Sequence, residues 1–336
     1  MITFDFTRHY PSGWYPGHMR IAQQQLKEKL PLVDVVLLLT DARCPESALN
    51  SQLIELLGDK PFLLVLNKAD LADPESTKTW LAELAKQGVP AITTELMKRR
   101  GVDRIVPECR RIYEEDRDRK GATRPLLRAL RLMACGAPNL GKSTLINCLS
   151  RKSLARTGPT PGVTKSQQWI KLDADCELLD TPGIFPAGNP GAERELRLGL
   201  AHVVRQDLVG NATIARYLMA QLILRGQEKP LLEFSQLDAL PEQPETLFAT
   251  IAKRRGFILH GGEPDLERAE LLLLTEFTEG RFGRLTLDPP PGSPPFPGAD
   301  KVEILFQDLA PKPKPKPKPK KVYKPKAPPP PKTKGR

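Results

Sequence analysis

This chain of 336 residues lacks long apolar runs, paired cysteines and clustered histidines. No apolar run approaches the roughly 18–20 residues of a membrane-spanning helix. The five cysteines and four histidines are scattered, without a Cys-x-x-Cys pair or zinc-site spacing. The first residues show no basic stretch followed by an apolar one, so we expect no signal peptide. These absences favour a reduced, cytosolic protein without a structural metal.

The positive charge of the chain lies at one end. Residues 310–336 hold ten lysines, Arg336 and ten prolines, with no acidic residue. Without these eleven charges, the 51 basic residues fall to 40, which equals the acidic count. Alternating Pro and Lys favour an extended tail that is disordered in isolation. Such a tail would bind polyanions through counterion release, although a solubilising tail, an SH3-like ligand and an acidic-lipid contact remain alternatives.

Strand and helix patterns alternate in the first half of the chain. Apolar runs predict buried strands at 33–39, 62–66, 130–135 and 176–179. Helices are predicted at 46–57 and at 75–87, where Gly88 would end the second one. Strands that alternate with helices predict an α/β fold with a largely parallel sheet.

Helical patterns dominate from about residue 193 to 283. Asn211 is predicted to cap a helix that stops at Gly226, and further helices are predicted at 244–255 and 264–279. From residue 288 onward the proline-rich chain predicts a linker without a core.

A phosphate-binding loop stands between a predicted strand and a helix. Residues 136–143 match G-x-x-x-x-G-K-[ST] at every fixed position. The glycines let backbone N–H groups surround phosphate, Lys142 would neutralise the β- and γ-phosphates, and Ser143 can ligate Mg²⁺. An accidental glycine-rich turn is the weaker alternative. The nucleotide contacts predicted here are Asn139, Leu140, Gly141, Lys142, Ser143 and Thr144.

Two further motifs follow strand ends. Asp180 begins Asp-Thr-Pro-Gly, where it suits the Mg²⁺ side of a nucleotide site and Gly183 can donate an N–H to the γ-phosphate. Residues 67–70 read Asn-Lys-Ala-Asp, which resembles the guanine-binding motif of GTPases. Asp70 would accept hydrogen bonds from guanine N1 and N2, and the stem of Lys68 would cover the purine. A polar turn after a strand is the alternative for Asn67, Lys68, Ala69 and Asp70.

The order of the motifs differs from that of Ras-like GTPases. Asn67 precedes Gly136 by 69 residues, whereas the guanine motif of Ras-like proteins follows the P-loop. The order predicts a circularly permuted GTPase. It also places Gly183 directly before the helical region, so we expect nucleotide state to move that region.

At this point the chain resembles the YlqF family of ribosome biogenesis GTPases over about residues 10–283. Besides the three motifs above, the resemblance rests on 14–19 (Trp-Tyr-Pro-Gly-His-Met), 41–43 (Asp-Ala-Arg), 161–164 (Pro-Gly-Val-Thr) and 166–169 (Ser-Gln-Gln-Trp). It implies a circularly permuted P-loop GTPase domain at 1–190 and a small all-helical, RNA-binding domain at 193–283. The Pro-rich linker and basic tail are expected at 284–336.

The resemblance also implies roles for individual residues. Thr164 resembles the switch threonine that ligates Mg²⁺, and Asn139 resembles the asparagine that holds K⁺ in K⁺-stimulated GTPases. Ile184 follows Gly183 where Ras-like enzymes carry a water-orienting glutamine. His18 is the family's candidate for that task, so the implied catalytic set is His18, Lys142 and Gly183. The alternatives are a structural or rRNA-binding role for His18 and a role in shaping the loop for Asn139.

The pair Glu95-Leu96 is expected to present a backbone N–H to guanine O6. The expected cofactors are Mg²⁺ and K⁺. The expected partners are GTP or GDP and the rRNA of the large ribosomal subunit and of its precursor particle. We expect no membrane partner, and we expect the protein to be a monomer.

The resemblance implies a cytosolic GTPase that assists late assembly of the large (50S) subunit, with hydrolysis driving release. An RNA-binding scaffold with little hydrolysis is one alternative. A GTPase acting on another RNA, such as tRNA or the small subunit, is the other.

Overall fold

The computed structural model describes residues 1–9, 24, 26–49, 51–121, 128–150, 169–172, 175–179 and 191–306. Within these ranges no helix has the length and hydropathy needed to cross a bilayer. All five cysteines are buried as free thiols.

Eight strands and eleven α-helices make up the described part of the chain. The strands are β1 (Ile2–Phe6), β2 (Val35–Asp41), β3 (Phe62–Asn67), β4 (Ala91–Thr94), β5 (Leu130–Gly136), β6 (Trp169–Lys171), β7 (Cys176–Leu179) and β8 (Val302–Phe306). The helices of the first half are α1 (Pro45–Ala48), α2 (Ser51–Leu57), α3 (Pro74–Lys86), α4 (Ile105–Arg119) and α5 (Lys142–Ser150). The second half holds α6 (Ala192–Leu200), α7 (Gln206–Val209), α8 (Asn211–Leu224), α9 (Glu228–Ser235), α10 (Pro244–Arg255) and α11 (Leu266–Thr278).

The central sheet has the strand order β4-β3-β2-β5-β7-β6. All neighbours pair in parallel except β6, which runs antiparallel to β7. Every residue of β2 is buried, as expected for a strand covered by helices on both faces. The predicted α/β fold with a mostly parallel sheet is therefore confirmed.

The register of the sheet brings three strand ends together. Asp41 at the end of β2 pairs with Asn67 at the end of β3. Leu39 of β2 pairs with Gly136, the last residue of β5. Because parallel strands end at the same edge, the loops that follow β2, β3 and β5 share one cleft.

The predicted helices of the first half are present with one change. The stretch 46–57 is two helices rather than one, because Leu49 is extended (φ −75°, ψ 130°) and ends α1. Helix α3 begins after Asp73, whose side chain accepts a hydrogen bond from Ser76 N at 2.7 Å.

The second half is helical as predicted. Gly210 rather than Asn211 is the N-cap of α8, so the predicted cap is displaced by one residue. Helix α11 begins after Asp265, which accepts a bond from Arg268 N at 3.1 Å. Buried side chains of α6, α8 and α11 join the core on one face of the sheet.

The segment 284–306 differs from the linker that was predicted there. Leu285, Leu287 and Asp288 are buried, and β8 pairs in parallel with β1. Phe306 stacks on Phe6 with ring centroids 5.4 Å apart. The predicted linker boundary at 284 is wrong for these residues, because buried groups flank the prolines on both sides. Residues 307–336 lie outside the described part.

Candidate functional site

The P-loop, residues 136–143, follows β5 and leads into α5. Gly136 has φ 151°, and a Cβ there would lie 2.7 Å from Leu39 O. Gly141 has φ 99°, and a Cβ there would lie 2.6 Å from Asn67 Nδ2. Both positions therefore require glycine, one for packing on β2 and one for approach to the loop after β3.

Lys142 stands in the first turn of α5 and is only 8 % exposed. Its Nζ donates to Gly136 O at 3.1 Å and to Ala137 O at 2.6 Å. The ammonium thus lies inside the curve of the P-loop. The N–H groups that begin α5, together with this charge, favour a bound phosphate group.

Asn67 joins the guanine loop, residues 67–70, to the P-loop. Its Nδ2 donates to Leu140 O at 2.8 Å. Its Oδ1 accepts bonds from Thr94 Oγ1 and Leu96 N, both at 3.2 Å. The side chain is buried, so these bonds fix three loops in one arrangement.

Lys68 points from the guanine loop toward the end of β2. Its Nζ lies 3.0 Å from Asp41 Oδ2, and its side chain is 23 % exposed. Arg43 donates to the same carboxylate from Nε at 3.0 Å and from Nη2 at 2.9 Å. Burial alone would raise the pKa of Asp41, but the charges of Arg43 and Lys68 hold it well below its usual range.

Asp70 pairs with Lys98, with Oδ2 and Nζ 2.9 Å apart. Lys98 is half exposed, so a ligand that offers two N–H donors to Asp70 would replace a solvent-screened ion pair. Ala69 N donates to Thr94 O at 3.2 Å, which holds the guanine loop against the end of β4.

The loop expected to meet guanine O6 uses its N–H groups within the protein. Glu95 N donates to Arg100 O at 3.1 Å, and Leu96 N donates to Asn67 Oδ1. The O6 contact from Glu95-Leu96 stays a prediction, and it requires one of these N–H groups to be shared or released.

Comparisons with known proteins bear on the same region of the chain. A family model described as "50S ribosome-binding GTPase" matches residues 131–233, which include the P-loop. The ribosome biogenesis GTPase A of Bacillus cereus is 39% identical over 277 residues, covering 82% of this chain and 93% of that protein. The chain belongs to the ribosome biogenesis GTPase A (YlqF) family.

Another relative and two solved structures support the same family assignment. The mouse protein named mitochondrial ribosome-associated GTPase 1 is 32% identical over 308 residues, covering 85% of this chain and 92% of that protein. The GNP-bound YlqF of Thermotoga maritima matches with a TM-score of 0.57 and 26% identity, covering 81% of this chain and 99% of that one. A GDP-bound YlqF structure matches with a TM-score of 0.56 and 26% identity, over 79% and 99%.

Membership of the YlqF family makes this chain a ribosome-biogenesis GTPase that binds GTP and GDP and hydrolyses GTP. GTPases of this kind use Mg²⁺. Ser143 fits that ion, because it is in the first turn of α5 beside Lys142, where its hydroxyl can reach an ion on the phosphates. No group of three or more His, Cys, Asp or Glu side chains in the described ranges could hold a metal.

Four residues predicted for the YlqF-family site lie outside the described residues. They are His18, Thr164, Asp180 and Gly183. The structure brings together the remainder of the predicted set, from the guanine loop, the loop after β4 and the P-loop. Asn139 is within the P-loop in the left-handed region, with φ 59°.

Two side chains near this YlqF-family site received no role from the sequence. Asp41 and Arg43 are in a motif that carried the family resemblance, yet their contact with Lys68 depends on β2 lying beside β3. Polar residues at the ends of neighbouring parallel strands meet at one edge of the sheet, but the sequence alone does not identify which strands are neighbours. His202 is near as well: burial, Arg43 and Lys68 lower its pKa to about 4.

Proposed function

We propose that the protein acts late in assembly of the large (50S) ribosomal subunit and leaves the particle when GTP is hydrolysed. The observation that carries the guanine-nucleotide part is the pair of bonds at Asn67, whose Nδ2 donates to Leu140 O and whose Oδ1 accepts from Leu96 N. These bonds hold the guanine loop, the P-loop and the loop after β4 together, as one nucleotide that contacts all three would require. The names of the relatives, ribosome biogenesis GTPase A and mitochondrial ribosome-associated GTPase 1, support the ribosomal part.

Residue roles follow from the chemistry of each group. Lys142 neutralises the β- and γ-phosphates, and Ser143, Thr164 and Asp180 hold Mg²⁺. Gly183 donates its N–H to the γ-phosphate. His18 orients the attacking water, since Ile184 cannot.

Asn139 holds K⁺ in this proposal. A monovalent cation there would supply positive charge to the transition state, where other GTPases use an arginine finger. Asn139 is a residue of the P-loop with a left-handed backbone (φ 59°), three positions before Lys142, and this place in the loop supports that role.

The chain order supports a circularly permuted GTPase domain. Strand β3, with the guanine loop, precedes β5 in the chain, although both border β2 in the sheet. In this order, Gly183 is only eight residues before Gly191, the N-cap of α6. GTP would fix the helical region, residues 193–283, in its rRNA-binding arrangement.

The basic tail, residues 310–336, adds polyanion affinity without sequence choice. We place the protein in the cytoplasm as a monomer bound to the precursor particle. Ile184 favours one alternative, a nucleotide-dependent scaffold with little hydrolysis of its own.

Asp70→Asn tests the guanine site. Because an amide has an N–H donor in place of the second carboxylate oxygen, it cannot give guanine N1 and N2 an acceptor each, and GDP affinity should fall about 100-fold or more. Titration with a fluorescent GDP measures this, and inosine diphosphate, which lacks the N2 amine, should bind wild type more weakly than GDP. The Lys98→Ala variant is the control, since it removes only the exposed partner of Asp70. Equal GDP affinity in Asp70→Asn and wild type would contradict the assignment.

Co-sedimentation tests the partner. The protein with a non-hydrolysable GTP analogue should sediment with large-subunit particles and should leave them with GDP. Sedimentation with small subunits, or binding to tRNA alone, would instead support the second alternative.

A further inference from the structure

The buried carboxylate of Asp41 is shared between the nucleotide site and the helical region. Asp41 is 0% exposed. It forms an ion pair with Lys68 Nζ and accepts three hydrogen bonds from Arg43, whose backbone N donates to Oδ1 at 3.0 Å. We refer to Asp41, Arg43 and Lys68 as the Asp41 cluster.

Arg43 carries the Asp41 cluster into the helical region. Its Nη2 donates to Ala201 O at 2.9 Å, just beyond the last residue of α6. Its guanidinium also lies over the ring of Phe277 in α11, 5.9 Å from the centroid. A single side chain, 2% exposed, thus contacts the C-terminus of α6 and the side of α11, the first and last helices of the helical region.

The same residue holds the segment that closes the fold. Arg43 O accepts a bond from Leu287 N at 2.6 Å. The neighbouring His202 is close enough to Arg43 and Lys68 for both charges, after burial, to lower its pKa. Because Ala201 O accepts a bond from Arg43, the end of α6 lies beside the Asp41 cluster.

Lys68 is the part of the Asp41 cluster that a nucleotide would reach. Its side chain is 23% exposed, whereas those of Asp41 and Arg43 are at most 3% exposed. A purine against the stem of Lys68 restricts its motion, and Asp41 passes that restriction to Arg43 because both cations bind one carboxylate.

We propose that Asp41 is a positioning residue that couples occupancy of the guanine site to the attachment of the helical region, through Lys68 on one side and Arg43 on the other. This rests on the proposed placement of guanine against Lys68. The route through Asp41 is separate from the one through Gly183, because it begins at the base rather than at the γ-phosphate.

Hydrogen exchange of the backbone amides measures the coupling. In wild type, excess GDP should slow exchange at residues 196–204 several-fold, about three-fold or more. The reporting amides include Ala201 N and Val203 N, which bond to Arg197 O and Leu198 O. No change in this window when GDP is bound would overturn the proposal.

Lys68→Met breaks the link while keeping the aliphatic stem. At GDP concentrations that saturate the variant, with occupancy measured directly, the GDP-dependent protection at 196–204 should disappear. Lys68→Arg keeps a cation near Asp41 and should restore it. Protection in Lys68→Met equal to that in wild type would overturn the proposal.

Asp41→Asn is the second variant, and Asp34→Asn is its matched control. Asp34 directly precedes β2 and also binds an arginine, with Arg128 Nη1 and Nη2 at 2.7 and 2.8 Å. Asp41→Asn should lose the coupling and bind GDP about ten-fold more weakly, because Lys68 is no longer positioned. Asp34→Asn should retain the coupling, and if it loses the coupling equally the effect is not specific to Asp41.

Different results would contradict the proposed guanine site and the proposed coupling through Asp41. Absence of guanine preference in wild type would contradict the proposed site. Normal GDP binding with unchanged protection in Lys68→Met would contradict the coupling alone.

Discussion

At the scale of single residues, Asn67 connects more parts of the site than its place in a four-residue motif indicates. Its amide is buried and joins Leu140 O, Thr94 Oγ1 and Leu96 N. The amide has one acceptor and one donor group, and both are used across loops rather than within one. The side chain therefore holds the site together and does not itself need to touch the nucleotide.

Asn67→Ala should lower both stability and nucleotide affinity. Leaving Leu140 O and Leu96 N without a partner costs about 1–3 kcal/mol each, so the free energy of unfolding should fall by several kcal/mol. Urea unfolding and GDP titration measure the two effects. Thr94→Val removes only one of the bonds and should cost about 1 kcal/mol. Unchanged GDP affinity in folded Asn67→Ala would contradict the role given to this side chain.

His202 should make stability depend on mildly acidic pH. Its pKa is about 4 in the folded protein, against an ordinary value near 6.5, because of burial and the charges of Arg43 and Lys68. Between these values the unfolded chain binds the proton more readily, so stability falls as the pH drops from about 6.5 toward 4. Above about pH 6.5 both states are neutral, and His202 has no effect on the slope.

The His202→Asn variant tests this dependence, and asparagine tolerates the left-handed backbone found there (φ 58°). The free energy of unfolding should drop less in this variant than in wild type between about pH 7 and pH 5. His260→Asn, at an exposed loop position, is the control. An identical drop in His202→Asn and wild type would contradict the assignment.

The motif residues could be predicted from the sequence because their spacing is set by local chemistry. The glycines at 136 and 141, Lys142 and Asn67 are where phosphate and loop geometry require them. The contact of Asp41 with Lys68 could not be predicted in the same way, since it depends on which strands are neighbours. The engagement of Leu96 N by Asn67 likewise follows only from tertiary structure.

At the scale of elements, the segment 284–306 connects the sheet to the helical region. Asp288 accepts bonds from Ser47 N and Ser47 Oγ, both at 2.6 Å, and from Arg197 Nη1 at 3.0 Å. Trp80 Nε1 of α3 donates to Asp288 O at 3.0 Å. Proline content predicted a linker, but it says nothing about buried groups such as Leu287 and Asp288, which directly precede the prolines.

Asp288→Ala should destabilise the protein by about 3–5 kcal/mol, since it leaves Arg197 and Ser47 without their buried partner. Urea unfolding measures the loss. Asp300→Ala changes an exposed aspartate of the same segment and should have an effect below about 0.5 kcal/mol. A loss in Asp288→Ala as small as in Asp300→Ala would contradict the role of this segment.

Helix boundaries show the same limit of local signals. The apolar spacing of 46–57 fits one helix, and the extended backbone at Leu49 divides it. Arg194 Nη2 donates to Leu49 O at 2.8 Å, so a contact from α6 holds the break. The break between α1 and α2 thus depends on a tertiary contact. The bounds of α10, in contrast, follow from local sequence signals, and its predicted range 244–255 is correct at both ends.

At the scale of the whole molecule, the excess positive charge of the chain lies beyond β8, the last described strand. The body has equal numbers of acidic and basic residues, and the eleven excess charges follow β8 in the chain. Strand β8 pairs in parallel with β1, and Phe6 lies opposite Phe306 at the ends of the two strands.

GTP hydrolysis with and without purified large ribosomal subunits, in KCl and again in NaCl, tests the central claim most directly. The account predicts slow turnover by the protein alone, because Ile184 cannot orient water, and a rise with large subunits in KCl that NaCl does not support. That result requires both the particle and a cation, which we propose Asn139 holds. Intact GTP binding without stimulation by large subunits in either salt would contradict the claim and favour the scaffold or another RNA partner.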